Sequence, residues 1–268
     1  MAKIVFLMAD YGHDPTGGPN SHIIMPMNDK ELNFRSETCG PYTAFKAAGF
    51  DVKFATEVGK SARCDMKMLE GLTQRLLGAS SSIVKKYHVM ADSDEWKNPL
   101  SWSDEQFTLD AFDLVFLPGG HDKAVSQVID SERVHKLLAD FFPKTKKPSK
   151  KAVGAVCHGV MVLSESKHPD GTSVIRDCAT TALPARFEQL AFWGTRLFLG
   201  DYYKTYGAGS ENVEDSVRKV LASPEQFKSS IVPSPFVVED ENFNYVTARF
   251  PGDVELLSQK LVKLVQSL

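Results

Sequence analysis

A cysteine and a histidine stand side by side in Ala155-Val156-Cys157-His158-Gly159. The run before them, Lys151-Ala152-Val153-Gly154-Ala155-Val156, is small and apolar, which suits a buried strand, and Val160-Met161-Val162-Leu163 opens a new element. A cysteine at a strand–helix junction sits on a sharp turn, with its sulfur thrust into a crevice at the strand's carboxyl end. The helix N-terminus beneath it offers free N–H groups and a partial positive charge. Both favour the thiolate, which is the nucleophilic form of the residue. The strand-turn-helix elbow of serine hydrolases uses the same geometry. A buried core cysteine is the plainer alternative, although a plain core strand needs neither His158 nor Gly159.

Other residues are candidates to meet that thiol. In a doubly wound sheet, ligands bind beyond the carboxyl ends of the strands, near the point where strand order switches. Leu117-Pro118-Gly119-Gly120-His121 is one such end. The pair Gly119 and Gly120 lets the backbone approach a ligand closely, and with the N–H of His158 it could form an oxyanion hole; a simple turn is the alternative. Glu37, just before Cys39-Gly40-Pro41, reaches the thiol only if the first strand–helix loop folds over the site, and is otherwise a capping or solvated carboxylate. Glu188, in Leu183-Pro184-Ala185-Arg186-Phe187-Glu188-Gln189, falls on a short predicted helix. It could orient His158 as the acid of a Cys-His-acid triad, or lie on a helix surface.

The elements that must position these residues alternate. Strands are predicted at Lys3–Met8, Asp51–Thr56, Leu114–Leu117, Ala152–Val156 and Cys178–Leu183, with helices near Cys39–Ala48, Ser131–Phe142, His158–Glu165 and Asp253–Gln266. Such alternation predicts an α/β fold: a doubly wound, mainly parallel sheet with helices on both faces. Continuous apolar strands such as Leu114-Val115-Phe116-Leu117 fit burial on both sides. Phe236–Glu239 and Tyr245–Arg249, flanking residues 240–244, give a hairpin signal. One domain over residues 1–268 is expected, with an insertion at about 59–103 whose loops and short helices form a lid-like segment. The aromatic run Phe192–Tyr206 reads as core, subunit interface or substrate wall.

The 268 residues carry 43% hydrophobic and 24% charged side chains, and a formal charge of −3 argues against a nucleic-acid partner that depends on a basic surface. No apolar run reaches the length of a membrane span. The four cysteines, Cys39, Cys64, Cys157 and Cys178, are scattered without CxxC spacing, which disfavours a disulfide framework or zinc site and makes a reducing, cytoplasmic setting the default. The remaining histidines, His13, His22, His88, His121, His135 and His168, show no spacing that marks a metal site.

The elbow at Cys157 together with Leu117-Pro118-Gly119-Gly120-His121 resembles the DJ-1/PfpI superfamily, related in fold to class I glutamine amidotransferases, and more closely its Hsp31-like branch, which includes glutathione-independent glyoxalases (glyoxalase III). The resemblance covers most of the chain and implies a flavodoxin-like sandwich. It puts the nucleophile on Cys157, the adjacent base on His158, a proton-shuttling carboxyl on Glu37 and the triad acid on Glu188. It also implies a 2-oxoaldehyde such as methylglyoxal as substrate, no cofactor and a homodimer; some Hsp31 relatives carry a two-histidine-one-carboxylate metal site, and the histidine spacing here gives no metal. A stress-protective chaperone or redox sensor is one alternative. A different cysteine-dependent hydrolase or hydratase, acting on amide, peptide or nitrile-like groups, is another. Glutamine amidotransferase activity is disfavoured, because the His-x-Glu pair those enzymes use is missing.

Overall fold

Apolar runs with no polar alternation lie side by side at the centre of the molecule. The computed structural model describes residues 1–13, 37–64, 81–232 and 234–268. In chain order, the strands are β1 (Lys3–Leu7), β2 (Tyr11–His13), β3 (Asp51–Thr56), β4 (Arg63–Cys64), β5 (Leu100–Ser101), β6 (Leu114–Leu117), β7 (Ala152–Val156), β8 (Val237–Glu239) and β9 (Tyr245–Ala248). The helices are α1 (Cys39–Ala47), α2 (Ser81–Ala91), α3 (Asp94–Lys97), α4 (Ser126–Ile129), α5 (Glu132–Phe141), α6 (Gly159–Glu165), α7 (Ala185–Leu199), α8 (Val213–Val220) and α9 (Val254–Ser267).

Seven strands form one sheet in the order β5-β3-β1-β6-β7-β9-β8, and β2 pairs with β4 apart from it. All neighbours in the large sheet run parallel except β8, which returns antiparallel along β9 as the hairpin signal predicts. Every residue of β6 and β7 is buried, because helices cover both faces. On one side α1 packs against α9 and α2; on the other α6 packs against α4, α5 and α8. Phe6, Phe54, Phe45 and Phe116 interlock between β1, β3, β6 and α1, with centroids 4.9 to 5.9 Å apart. From β1 the chain crosses to β3 on one side and later to β6 on the other, so strand order switches beside β1. Ligands of such sheets bind beyond the carboxyl ends of the strands near the switch.

Two predicted features differ. Residues 178–183 form no strand. The place beside β7 belongs to β9, and the segment is tied by a single backbone bridge from Thr180 to Phe227 and by side chains. Ala179 N–H donates to Asp240 Oδ2 (2.8 Å) and Thr181 N–H to Thr247 Oγ1 (3.0 Å). The predicted lid-like segment is, in its described part, built into the body. Leu100–Ser101 extends the sheet beside β3, Trp96 and Trp102 are buried, and Trp102 Nε1 donates to Met8 O (3.2 Å). Residues 65–80 of that segment, like His22, lie outside the described residues. No described helix is long and apolar enough to cross a membrane.

Candidate active site

The turn between β7 and α6 forces its cysteine into an unusual conformation. Cys157 has φ +57°, the one positive value among described non-glycine residues. L-residues pay about 1–3 kcal/mol for this region and keep it where the surroundings over-determine it. Here Cys157 N–H donates to Ala248 O (3.2 Å), and Cys157 O accepts from Val160 N–H (3.3 Å). Gly159 completes the turn: a Cβ there would overlap Leu117 O and lie 2.8 Å from Pro118 O. The elbow is thereby pressed against the end of β6, with Cys157 Sγ 3.4 Å from His158 Nδ1.

His158 is fully enclosed, and burial lowers its pKa to about 3, helped by the charges of His121 and Lys204. The imidazole is therefore neutral around pH 7. It exchanges a hydrogen bond with the sulfur without adding a fixed positive charge.

Glu37 lies just ahead of α1 and is 1% exposed. Its place relative to the thiol is read from Gly119, where a Cβ would overlap Glu37 Oε2 and lie 2.7 Å from Cys157 Cβ. The carboxyl end of the Glu37 side chain and the Cys157 side chain therefore border the same glycine. Gly120 follows with φ +147°. Among the described residues no acceptor takes the buried amide of Gly120 or that of His158. Two backbone N–H groups without acceptors beside Cys157 can receive an anionic oxygen.

The structure does not bring Glu188 to His158. Glu188 is buried near the start of α7, and both its oxygens are engaged elsewhere. Oε1 accepts from Lys204 Nζ (2.8 Å) and Oε2 from Val213 N–H (2.8 Å). Burial raises its pKa, opposed by those two partners. Its placement ties α7 to the start of α8 and departs from the expected triad role: a buried ammonium and a backbone amide hold its two oxygens. Lys204 also donates to Asn212 Oδ1 (2.7 Å). The segment around it closes one wall of the site. Thr205 Oγ1 donates to His121 O (3.0 Å), and the His121 ring packs on Tyr202 and Tyr203 at 4.6 and 4.5 Å. The aromatic run thus splits, with Tyr202 and Tyr203 buried while Trp193 and Phe198 face outward.

Sequence reasoning missed Lys204 and gave His13 no role beyond a metal search. The signal for Lys204 was a lone cation among tyrosines in Asp201-Tyr202-Tyr203-Lys204-Thr205-Tyr206. Among the described residues, no group of three or more His, Cys, Asp or Glu side chains is placed to hold a metal ion.

A mainly parallel sheet with a cysteine on the strand–helix elbow past the carboxyl end of β7 defines a class of α/β proteins. The chain belongs to the ThiJ/PfpI family, within the DJ-1/PfpI superfamily: the model of the group described as "ThiJ/PfpI family-like" matches residues 31–230. An uncharacterized protein of Schizosaccharomyces pombe is 31% identical over 236 residues, covering 87% of this chain and 79% of that one. The fold is shared with the 24 kDa rapid encystment protein of Francisella tularensis (TM-score 0.66, 19% identity, 99% of each chain). It is also shared with glyoxalase III from Candida albicans (TM-score 0.64, 16% identity, 98% of this chain and 97% of that one).

Proposed function

We propose that the protein is a glutathione-independent glyoxalase that converts methylglyoxal and water to D-lactate. The observation that carries this reading is the meeting of Glu37 and Cys157 at Gly119. The reaction needs a nucleophile and a proton carrier at adjacent carbons of one small substrate, and these two groups border one spot. The Cys157 thiolate attacks the aldehyde carbon C1, so that an S–C1 bond forms. The amides of Gly120 and His158 stabilise the charge that develops on oxygen, and protonation gives a hemithioacetal. Glu37 removes the C1 proton and returns it to C2 through an enediol. C1 rises to the oxidation level of a thioester while C2 is reduced to an alcohol, so the electrons balance within the substrate. Water then attacks C1, the C1–S bond breaks, and lactate leaves with the thiol restored. His158, held neutral, serves the sulfur as a hydrogen-bond partner, which leaves the proton transfer to Glu37.

The test is D-lactate formation by the purified protein from methylglyoxal without glutathione, with Cys157→Ser as the control. Turnover lost in the variant is expected. A parent protein that forms no D-lactate overturns the reading, and turnover of amides or nitriles in its place would move the site to a thiol-dependent hydrolase.

A further inference from the structure

His13 is buried beside the site and uses both ring nitrogens. Its Nε2 accepts from Ala9 N–H (2.6 Å), and its Nδ1 lies 2.8 Å from Gly119 O. A backbone amide can only donate, so Nε2 is the bare nitrogen and Nδ1 carries the proton, which it gives to the Gly119 carbonyl. Burial lowers the His13 pKa to about 4, so this tautomer persists near neutrality.

The consequence falls on the next peptide. Gly119 and Gly120 form the most freely rotating dipeptide a chain can have, and nothing in their own stereochemistry fixes the plane of the bond between them. A trans peptide holds its C=O and the following N–H on opposite edges. With Gly119 O held on the His13 side, the Gly120 N–H is held on the other. A flip of that peptide would exchange donor for acceptor and turn a carbonyl toward the space the amide now faces.

We propose that His13 is a positioning residue: it locks the Gly119–Gly120 peptide so that the Gly120 amide stays available to an oxyanion formed on Cys157. The proposal rests on the oxyanion reading of that amide and not on the identity of the substrate.

The experiment compares two reactions of the same thiol. Acetylation by p-nitrophenyl acetate forms an Sγ–C bond through a tetrahedral oxyanion, then breaks the C–O bond as nitrophenolate leaves with its electron pair. Alkylation by iodoacetamide displaces iodide at a saturated carbon and forms no oxyanion. Peptide mapping confirms Cys157 as the labelled residue in both. Loss of one oxyanion donor costs about 10²–10³ in rate. His13→Phe should therefore lower acetylation by at least about tenfold, toward that range, with alkylation unchanged. His13→Gln, whose amide both donates and accepts, should recover most of the ratio. Equal ratios in parent and His13→Phe overturn the proposal, as does a parallel fall in both reactions. Should His13→Phe fail to fold, His13→Asn, too short to span Ala9 and Gly119 together, is read in the same way. Loss of folding in both variants would make His13 a core strut and overturn the positioning role. Because neither reagent is methylglyoxal, failure here and failure of the glyoxalase reading are separate results.

Discussion

Glu37 and Cys157, 120 positions apart in the chain (157 − 37), close on one glycine. A Cβ at Gly119 would overlap the Glu37 carboxylate and approach Cys157 Cβ to 2.7 Å. Three parts of the chain meet there: Glu37 just ahead of α1, Gly119 just past β6, and Cys157 on the elbow after β7.

Glu37→Gln keeps the shape of the side chain and removes its ability to exchange a proton. Methylglyoxal turnover should fall by about 10²–10⁴ while the thermal midpoint stays close to the parent's. Near-parent turnover would remove Glu37 from the mechanism.

Cys157 should be alkylated by iodoacetamide before Cys39 or Cys178. It is 7% exposed against 1% for each of the others, and burial pushes the Cys178 thiol far up. Peptide mapping after limited labelling checks this, and faster labelling of Cys178 would count against the elbow.

Glu188→Ala should act on stability. It strands the buried Lys204 ammonium, and removal of one partner of a buried pair costs about 3–5 kcal/mol. The double variant Glu188→Ala, Lys204→Met should recover a large part of that loss in urea unfolding. A stable single variant that loses turnover would restore the triad role to Glu188.

Arg249 is buried with Asp253, which its Nε and Nη2 meet at 2.8 Å each, and it also donates to the carbonyls of Ser230, Val232 and Ser234. Arg249→Met leaves Asp253 charged and uncompensated. A loss of about 3–5 kcal/mol in unfolding free energy is expected, and a midpoint unchanged in urea would contradict it.

Stability should decline as the medium is acidified. His13 and His158 start from an ordinary value of 6.5 and are lowered to about 4 and about 3 by burial. Below pH 6.5 the unfolded chain binds protons that the native one refuses, so the contribution is complete above 6.5 and is lost as pH falls toward those lower values. Each group costs about 1.4 kcal/mol per pH unit within that window. Urea midpoints at pH 7, 6 and 5 should fall steadily. A parent midpoint that is flat from pH 7 to 5 would refute the shifts.

The sequence by itself determined the sheet and the cysteine elbow, because both are written in local pattern. Short unbroken apolar runs such as Leu114–Leu117 and Ala152–Val156, alternating with helical patterns, fit strands buried on both faces. Cys157 was legible from its position between such a run and a helix, with Gly159 where the elbow passes the end of β6. The pairing of Glu188 was not legible. Its spacing from His158 suited a triad, but its partner depends on where the chain beyond α7 folds back, and that return delivers Lys204 to it. The same holds for residues 178–183, strand-like in composition and displaced by β9, and for His13, which joins neighbouring Ala9 to a glycine 106 residues beyond His13 itself. Buried polar groups must find partners wherever the chain supplies them, and only the tertiary structure decides which partners those are.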